Sequence, residues 1–209
     1  MSALAVSIDV AVFPVRAFLA PVVTLGTETF SEAAAREALL DRAMGPGRRR
    51  KASETLRRGR LPAEGLSIVA RDETGALVGT VRLWNVAAGE GATPALLLGP
   101  LAVDPALSGI GIGSALMRRA IAEVQFRGHR AILLVGDPDY YERFGFSGQR
   151  AAGLAMPGPF ERHRLLGLDL VEGALNGATG LIKATGRRAI AGSGKRHRAA
   201  SRSASVASF

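Results

Sequence analysis

Between Leu101 and Met117 the chain reads LAVDPALSGIGIGSALM, three glycines alternating with aliphatic residues at the entrance of a helix-like pattern. A glycine turn entering a helix offers unpaired backbone N–H groups and the positive end of the helix dipole, and so suits an anion. Without Cβ atoms the main chain can approach a diphosphate closely. Gly109, Gly111 and Gly113, with the amides of Ile110, Ile112 and Ser114, are therefore a candidate phosphate cradle. A glycine turn before a helix also arises for purely steric reasons, so the triplet needs context. It is not a Walker loop, because Ser114 and Ala115 follow Gly113 where a lysine is required. The dinucleotide spacing fails as well, since the third glycine would have to lie at 114, and Asp137 is followed by proline and a turn.

The surrounding elements decide how that turn is held. Residues 95–105, ALLLGPLAVDP, are rich enough in Leu and Val for a central strand, although Pro100 cannot donate to a ladder. A bulge there, or a place where two strands part, accommodates it. A helix is expected from Ser114 to Arg127, with Ile112, Leu116, Ala120, Ile121 and Val124 as its apolar stripe and Gly128 closing it. The strand AILLVG, 131–136, follows, giving strand, glycine loop, helix and parallel strand. Upstream, Val22–Leu25 suits a short strand, and Ser31 suits the N-cap of a helix ending at Gly45. LSIVARD, 66–72, and LVGTVRLWNV, 77–86, read as a hairpin around Glu73–Ala76, with a glycine-rich connection over 87–94. Downstream, Tyr140–Phe144 suits a short helix and RLLGLDLV, 164–171, a strand.

The strand, the glycine signature and the tyrosine beyond it resemble the GNAT superfamily of N-acetyltransferases. Ser108, Gly109, Ile110, Gly111, Ile112 and Gly113 occupy the positions of that family's Gln/Arg-x-x-Gly-x-Gly/Ala signature. Tyr141 stands four residues before Gly145-Phe146, the second family mark. The version GDPDYYERFGF directly after a strand resembles the YhbS-type predicted acetyltransferases, and the likeness spans roughly residues 22–171.

The resemblance implies an α/β (α+β) fold: one domain, a central mixed twisted sheet, helices on both faces, and a parting between the fourth and fifth strands. It implies acetyl-CoA as acyl donor, held by the backbone of Leu101, Ala102 and Val103 along the pantetheine arm and by the amides of Gly109, Ile110, Gly111, Ile112, Gly113 and Ser114 at the diphosphate. Tyr141 would protonate the departing thiolate, and Tyr140 would pack or line the substrate site. The acceptor would be a small-molecule or peptide amine attacking directly in a ternary complex, and a homodimer is compatible with the family. Ser108 and Ile110 depart from the usual polar or basic residues, which weakens side-chain contacts to phosphate and predicts looser donor binding. The residues 96–103 and 131–135 hold no carboxylate, so no general base is assigned. Asp104 reads as a turn-former before Pro105, while Trp84 and Asn85 are candidates for the acceptor pocket. A catalytically inactive acyl-CoA-binding regulatory module is the alternative from another class.

The 209 residues, 47% of them apolar, suffice for one domain and a sizeable core. A boundary near 20 and another near 182 divide the chain into an N-terminal extension, 1–20, expected to be poorly ordered, a domain, 21–182, and a disordered tail, 183–209. The net charge of +9 suggests nucleic acid until its location is considered. Seven of the 27 basic residues and none of the 18 acidic ones lie in 183–209, leaving 20 basic against 18 acidic in the body. Only 5% of residues are aromatic and none interleave with the bases, so specific nucleic-acid binding is not expected, although the tail suits weak non-specific binding. Within the body, GPGRRRKASETLRRGRLP, 45–62, has two readings: a solvated helix and loop, or an anion-facing surface.

There is no cysteine, which excludes disulfides, a thiol nucleophile and thiolate metal sites. His129, His163 and His197 lack ligand spacing, so no metal is expected. No apolar run is long enough to span a bilayer, and Arg16 is the first base of an opening that lacks signal-peptide form; no membrane association and a cytoplasmic location are expected.

Overall fold

The computed structural model describes residues 22–189. The extension expected over 1–20 and the end of the tail from 190 lie outside them.

Seven strands build the main sheet. They are β1 (Thr24–Thr27), β2 (Ser67–Arg71), β3 (Leu77–Ala88), β4 (Thr93–Val103), β5 (Ala131–Val135), β7 (Leu165–Asp169) and β9 (Lys183–Ala184). Their order is β1-β2-β3-β4-β5-β7, with β9 pairing to β3 beyond the end of β2. All pairings are antiparallel except β4 with β5. A second, two-stranded sheet pairs β6 (Leu154–Ala155) in parallel with β8 (Gly180–Leu181).

Side-chain alternation along the central strands separates two cores. Leu96, Leu98, Ile132 and Leu134 face the helix α3 (Ile112–Phe126) through Ile112, Leu116, Met117, Ala120 and Val124. Met117 joins the stripe more deeply than Ile121, which is only partly buried. Gly79 in β3 allows close seating, because a Cβ there would stand 2.9 Å from Leu116 Cδ1. On the opposite face Leu97, Ala131 and Leu133 pack with Leu56 of the helix α2 (Ala52–Arg57). Leu39 of α1 (Ala33–Met44) covers Val69 and Leu77. Each such fully buried leucine contributes about 1.5–3 kcal/mol relative to exposure. The mixed sheet with helices on both faces is thus the expected α/β architecture.

Several local expectations shift. The entry to α1 is set by Thr29, not Ser31: Thr29 and Glu32 form a reciprocal capping box around a 3-10 turn, Phe30–Glu32, that leads into the helix. The connection after Val86 continues as strand to Ala88, turns at Gly89–Ala92, and resumes at Thr93. The helix after the glycines starts at Ile112, two residues earlier than expected. The domain also runs past 182, since Lys183 and Ala184 pair with Ala87 and Val86, and Arg188 bridges to Arg60. β2 leaves that edge of β3 free, and the two-residue strand fills it. Among the described residues no helix is long and apolar enough to cross a membrane.

Glu32 also ties α1 to the sheet. Arg71 donates from Nε and Nη2 to its two carboxylate oxygens at 2.6 and 2.7 Å. These bonds, with those from Thr29, lower its pKa from 4.5 to about 2. A carboxyl whose folded pKa is depressed stabilises the fold above its ordinary value and loses that contribution as pH falls through the folded one. Glu32→Gln is therefore expected to lower the Tm by several degrees at pH 7, the gap from wild type narrowing below pH 4.5 and closing near pH 2. Thermal scans across that range test this, and a gap independent of pH would contradict it.

Candidate active site

The cradle residues sit where β4 hands over to α3. Asp104 caps the 3-10 turn Pro105–Leu107, accepting from Ala106 N–H at 3.1 Å and from Arg42 Nη2 at 2.8 Å. It is a turn-former, as its place before Pro105 suggests. The chain then passes through Gly109 and Gly111, at φ +83° and +93°, conformations that favour glycine. A Cβ added at either would meet nothing within 4 Å, so the requirement is conformational and the space in front of both is open. Gly111 is the N-cap of α3 and gives it no side-chain cap. The first intrahelical bond runs from Ala115 N–H to the Gly111 carbonyl at 3.0 Å. The amides of Ile112, Gly113 and Ser114 consequently have no acceptor within the helix. Ile112 directs its side chain into the core, so its amide alone is available. Ile110 is exposed and presents an aliphatic surface beside the turn.

Leu101, Ala102 and Val103 lie on β4 opposite Val81, Thr80 and Gly79 of β3. On the other edge β4 pairs with β5 only at Leu96–Ile132 and Leu97–Leu133. From Leu98 onward the two strands part, and that edge of β4 has no partner strand among the described residues. Pro100 falls in the parted stretch, beside the register shift between Val81 and Leu83. Both explanations anticipated for this proline apply.

A small cavity of about 80 Å³ occupies the parting, lined by Pro100, Leu101, Leu134, Val135 and Tyr141 with Glu54 and Arg57 of α2. Tyr141 arrives on a short helix, α4 (Pro138–Tyr141), whose N-cap Asp137 accepts from Asp139 N–H. Its ring lies edge-on to Tyr140, with centroids 4.9 Å apart, and to Phe146 at 6.0 Å. A Cβ on Gly136 would overlap the Tyr141 ring, so the glycine ending the strand makes its seat. Burial, reinforced by Tyr140, pushes the Tyr141 phenol up to about 12. It is therefore protonated at neutral pH and is a proton donor there, not a base. Tyr140 turns the other way: a Cβ on Gly113 would stand 2.9 Å from its hydroxyl, so it borders the first turn of α3. The Arg143 guanidinium covers the Tyr140 ring at 5.0 Å.

The sequence reading missed α2 as a wall of this site. A six-residue helix with bases at its ends looks solvated, yet Glu54, Arg57 and Arg48 converge on the cavity and on a larger one of about 550 Å³ beside it. Glu54 is the carboxylate among the residues lining the smaller cavity, supplied from outside the strands where a base was sought. Trp84, a candidate for the acceptor pocket, borders the larger cavity. Asn85 does not; its carbonyl accepts from the amides of Thr185 and Gly186, holding β9 in place.

Known proteins similar to this chain point to one family. Residues 63–148, from just before β2 to just after Phe146, match the family described as acetyltransferase (GNAT) domain. The uncharacterized N-acetyltransferase YhbS of Escherichia coli K12 is 32% identical over 123 residues, 56% of this chain and 71% of YhbS. YjhQ, an uncharacterized N-acetyltransferase of the same strain, is 34% identical over 104 residues, 47% of this chain and 56% of its own. The crystal structure of E. coli YhbS in complex with CoA superposes with a TM-score of 0.68 at 29% identity, covering 79% of this chain and 91% of that one. A GNAT acetyltransferase from Brucella melitensis in complex with acetyl-CoA gives 0.52 at 27% identity, over 69% and 94%.

Proposed function

The chain belongs to the GNAT superfamily of N-acetyltransferases, and on that footing we propose that it moves an acetyl group from acetyl-CoA to a primary amine by direct attack in a ternary complex. One observation carries the reading: an uncapped glycine cradle leads from an unpartnered strand edge whose gap holds a protonated tyrosine and a carboxylate. The bound CoA of YhbS and acetyl-CoA of the Brucella protein support the choice of donor.

The donor fits the chain in three places. The amides from Gly109 to Ser114 face the diphosphate, where dipoles and open space favour an anion. The free edge at Leu101, Ala102 and Val103 takes the pantetheine arm as an added strand would be taken. An N–H near Leu101 polarises the thioester carbonyl.

In the reaction the amine lone pair attacks the carbonyl carbon, the C–N bond forms and the C–S bond breaks. The amine nitrogen loses a proton to Glu54, directly or through water, and the departing sulfur gains one from Tyr141. Against a thiol of pKa ~8.5 in water, a phenol near 12 is a reluctant donor, by about 5 kcal/mol for complete transfer. Burial in the same slot raises the thiol in the same direction, which brings the pair closer together. Tyr141 accordingly donates while the C–S bond breaks, not after it. The expected setting is the cytoplasm, with a small-molecule or peptide amine as acceptor.

The assay is release of coenzyme thiol from acetyl-CoA across a panel of primary amines, with thiol appearing only when amine is present. Glu54→Gln is expected to lower kcat/KM at pH 7 by about 100-fold. The deficit should shrink as pH approaches ~10, where the acceptor sheds its own proton. A loss of equal size at every pH would remove Glu54 from the role of base.

A further inference from the structure

We infer that the acceptor is an amine carrying an anionic group, a phosphate or a carboxylate, seated in the arginine-lined cavity next to the acetyl slot. This rests on the acetyl-transfer reading and names its substrate class.

The two cavities share Arg48, Glu54, Arg57 and Pro100, so a molecule whose amine enters the smaller one has its body in the larger. The larger is lined by six arginines, from 48 to 82, against the carboxylates of Glu37 and Glu54. The lining itself thus carries more positive than negative charge, with Asp41 pairing Arg48 and Glu28 pairing Arg82 from behind it.

Two of the arginines are held away from water, and one of them, Arg82, is poorly compensated where it stands. Arg57 and Arg82 are 10% and 18% exposed in their side chains, and each guanidinium carbon lies 5.2 Å from the Trp84 ring centroid. Arg82 donates from Nε to Ser67 Oγ at 3.3 Å and stands 3.4 Å from Glu28 Oε2. That carboxylate oxygen is buried and finds no hydrogen bond among the described residues, so the ion pair is long and badly aligned. Glu28 spends its other oxygen on Arg36. Arg57 reaches Glu54 at 3.1 Å and the Ser53 carbonyl at 3.2 Å. Burial lowers the pKa of both guanidinium groups, the mark of cations held away from water.

A desolvated cation with only a long, misaligned ion pair, as Arg82 has, is unfavourable, and an anion brought between it and Arg57 offsets that. Arginine forks suit the oxygens of phosphate or carboxylate in two-point contact. An acceptor with a second positive charge in the same cavity would instead meet the excess charge. The buried Trp84 ring sits against both guanidinium groups and fixes them at the cavity wall.

The test uses the full-length protein saturated with CoA and four small amine probes: ethanolamine, O-phosphoethanolamine, β-alanine and 1,3-diaminopropane. Calorimetry should give at least tenfold tighter binding for O-phosphoethanolamine or β-alanine than for ethanolamine, with the diamine weakest. The order of the two anionic probes tells phosphate from carboxylate. Arg82→Gln should remove most of that preference while CoA affinity is unchanged, and Arg82→Lys should restore part of it. Arg58→Gln, at an exposed position on the same wall, should weaken the anionic probes alone and provides the result if the buried variants do not fold. Equal binding of all four probes, binding of none, or tightest binding of the diamine overturns the inference, leaving acetyl transfer intact if CoA is bound. A folded protein that does not bind CoA overturns both.

Discussion

Replacing Tyr141 with phenylalanine should reduce kcat by about 100- to 1,000-fold and leave acetyl-CoA affinity within about twofold of wild type. The exchange removes one oxygen and little else. The ring keeps its edge contacts with Tyr140 and Phe146 and its seat against Gly136. On the proposed reading the donor is gripped elsewhere, by the turn at Gly109–Ser114 and the edge of β4, so its binding should not register the change. A purely packing role for Tyr141 predicts kcat close to wild type, and that result would end its assignment as general acid. With its phenol pushed up to about 12, Tyr141 should also contribute no alkaline fall in kcat below about pH 10.

Gly111→Val should have the opposite signature: acetyl-CoA affinity lost by at least 100-fold, with the fold retained. Gly111 sits at φ +93° with open space around its missing Cβ. A β-branched residue there is strained by roughly 1–2 kcal/mol, a small fraction of a domain's stability. Its side chain would occupy the space the diphosphate needs, directly before the uncapped amides of Ile112, Gly113 and Ser114. Circular dichroism and thermal unfolding establish that the variant is folded, and titration with acetyl-CoA measures the loss. Unaltered affinity in a folded Gly111→Val protein would show that the diphosphate is bound elsewhere.

These two variants probe the parts of the site that local sequence makes visible. The strand to Val103, the alternating glycines and the stripe from Ile112 to Val124 are contiguous, and their periods are long enough to read. Pro100 announces the parting because a proline in a central strand has few structural explanations. Tyr141 follows at a spacing that the resemblance fixes.

What could not be read depends on contacts between distant segments. Glu54 and Arg57 look like solvated charges until α2 folds against β4, and Arg82 comes from a strand in which only its neighbours Trp84 and Asn85 stood out. The segment 45–62 supplies five of the arginines that line the larger cavity, but nothing in its sequence places it beside β4. β9 is too short to have a period, and its pairing depends on the edge of β3 that β2 leaves free. The cap at Thr29 is a different failure: the spacing Thr29-x-x-Glu32 is present in the sequence, and the adjacent Ser31 obscured it.

The most direct measurement is a calorimetric titration of acetyl-CoA into the purified wild-type chain. An open row of amides at a helix entrance, continuous with a free strand edge, predicts saturable one-to-one binding with Kd of about 1–100 µM. No detectable binding by folded protein at about 1 mM ligand would contradict it.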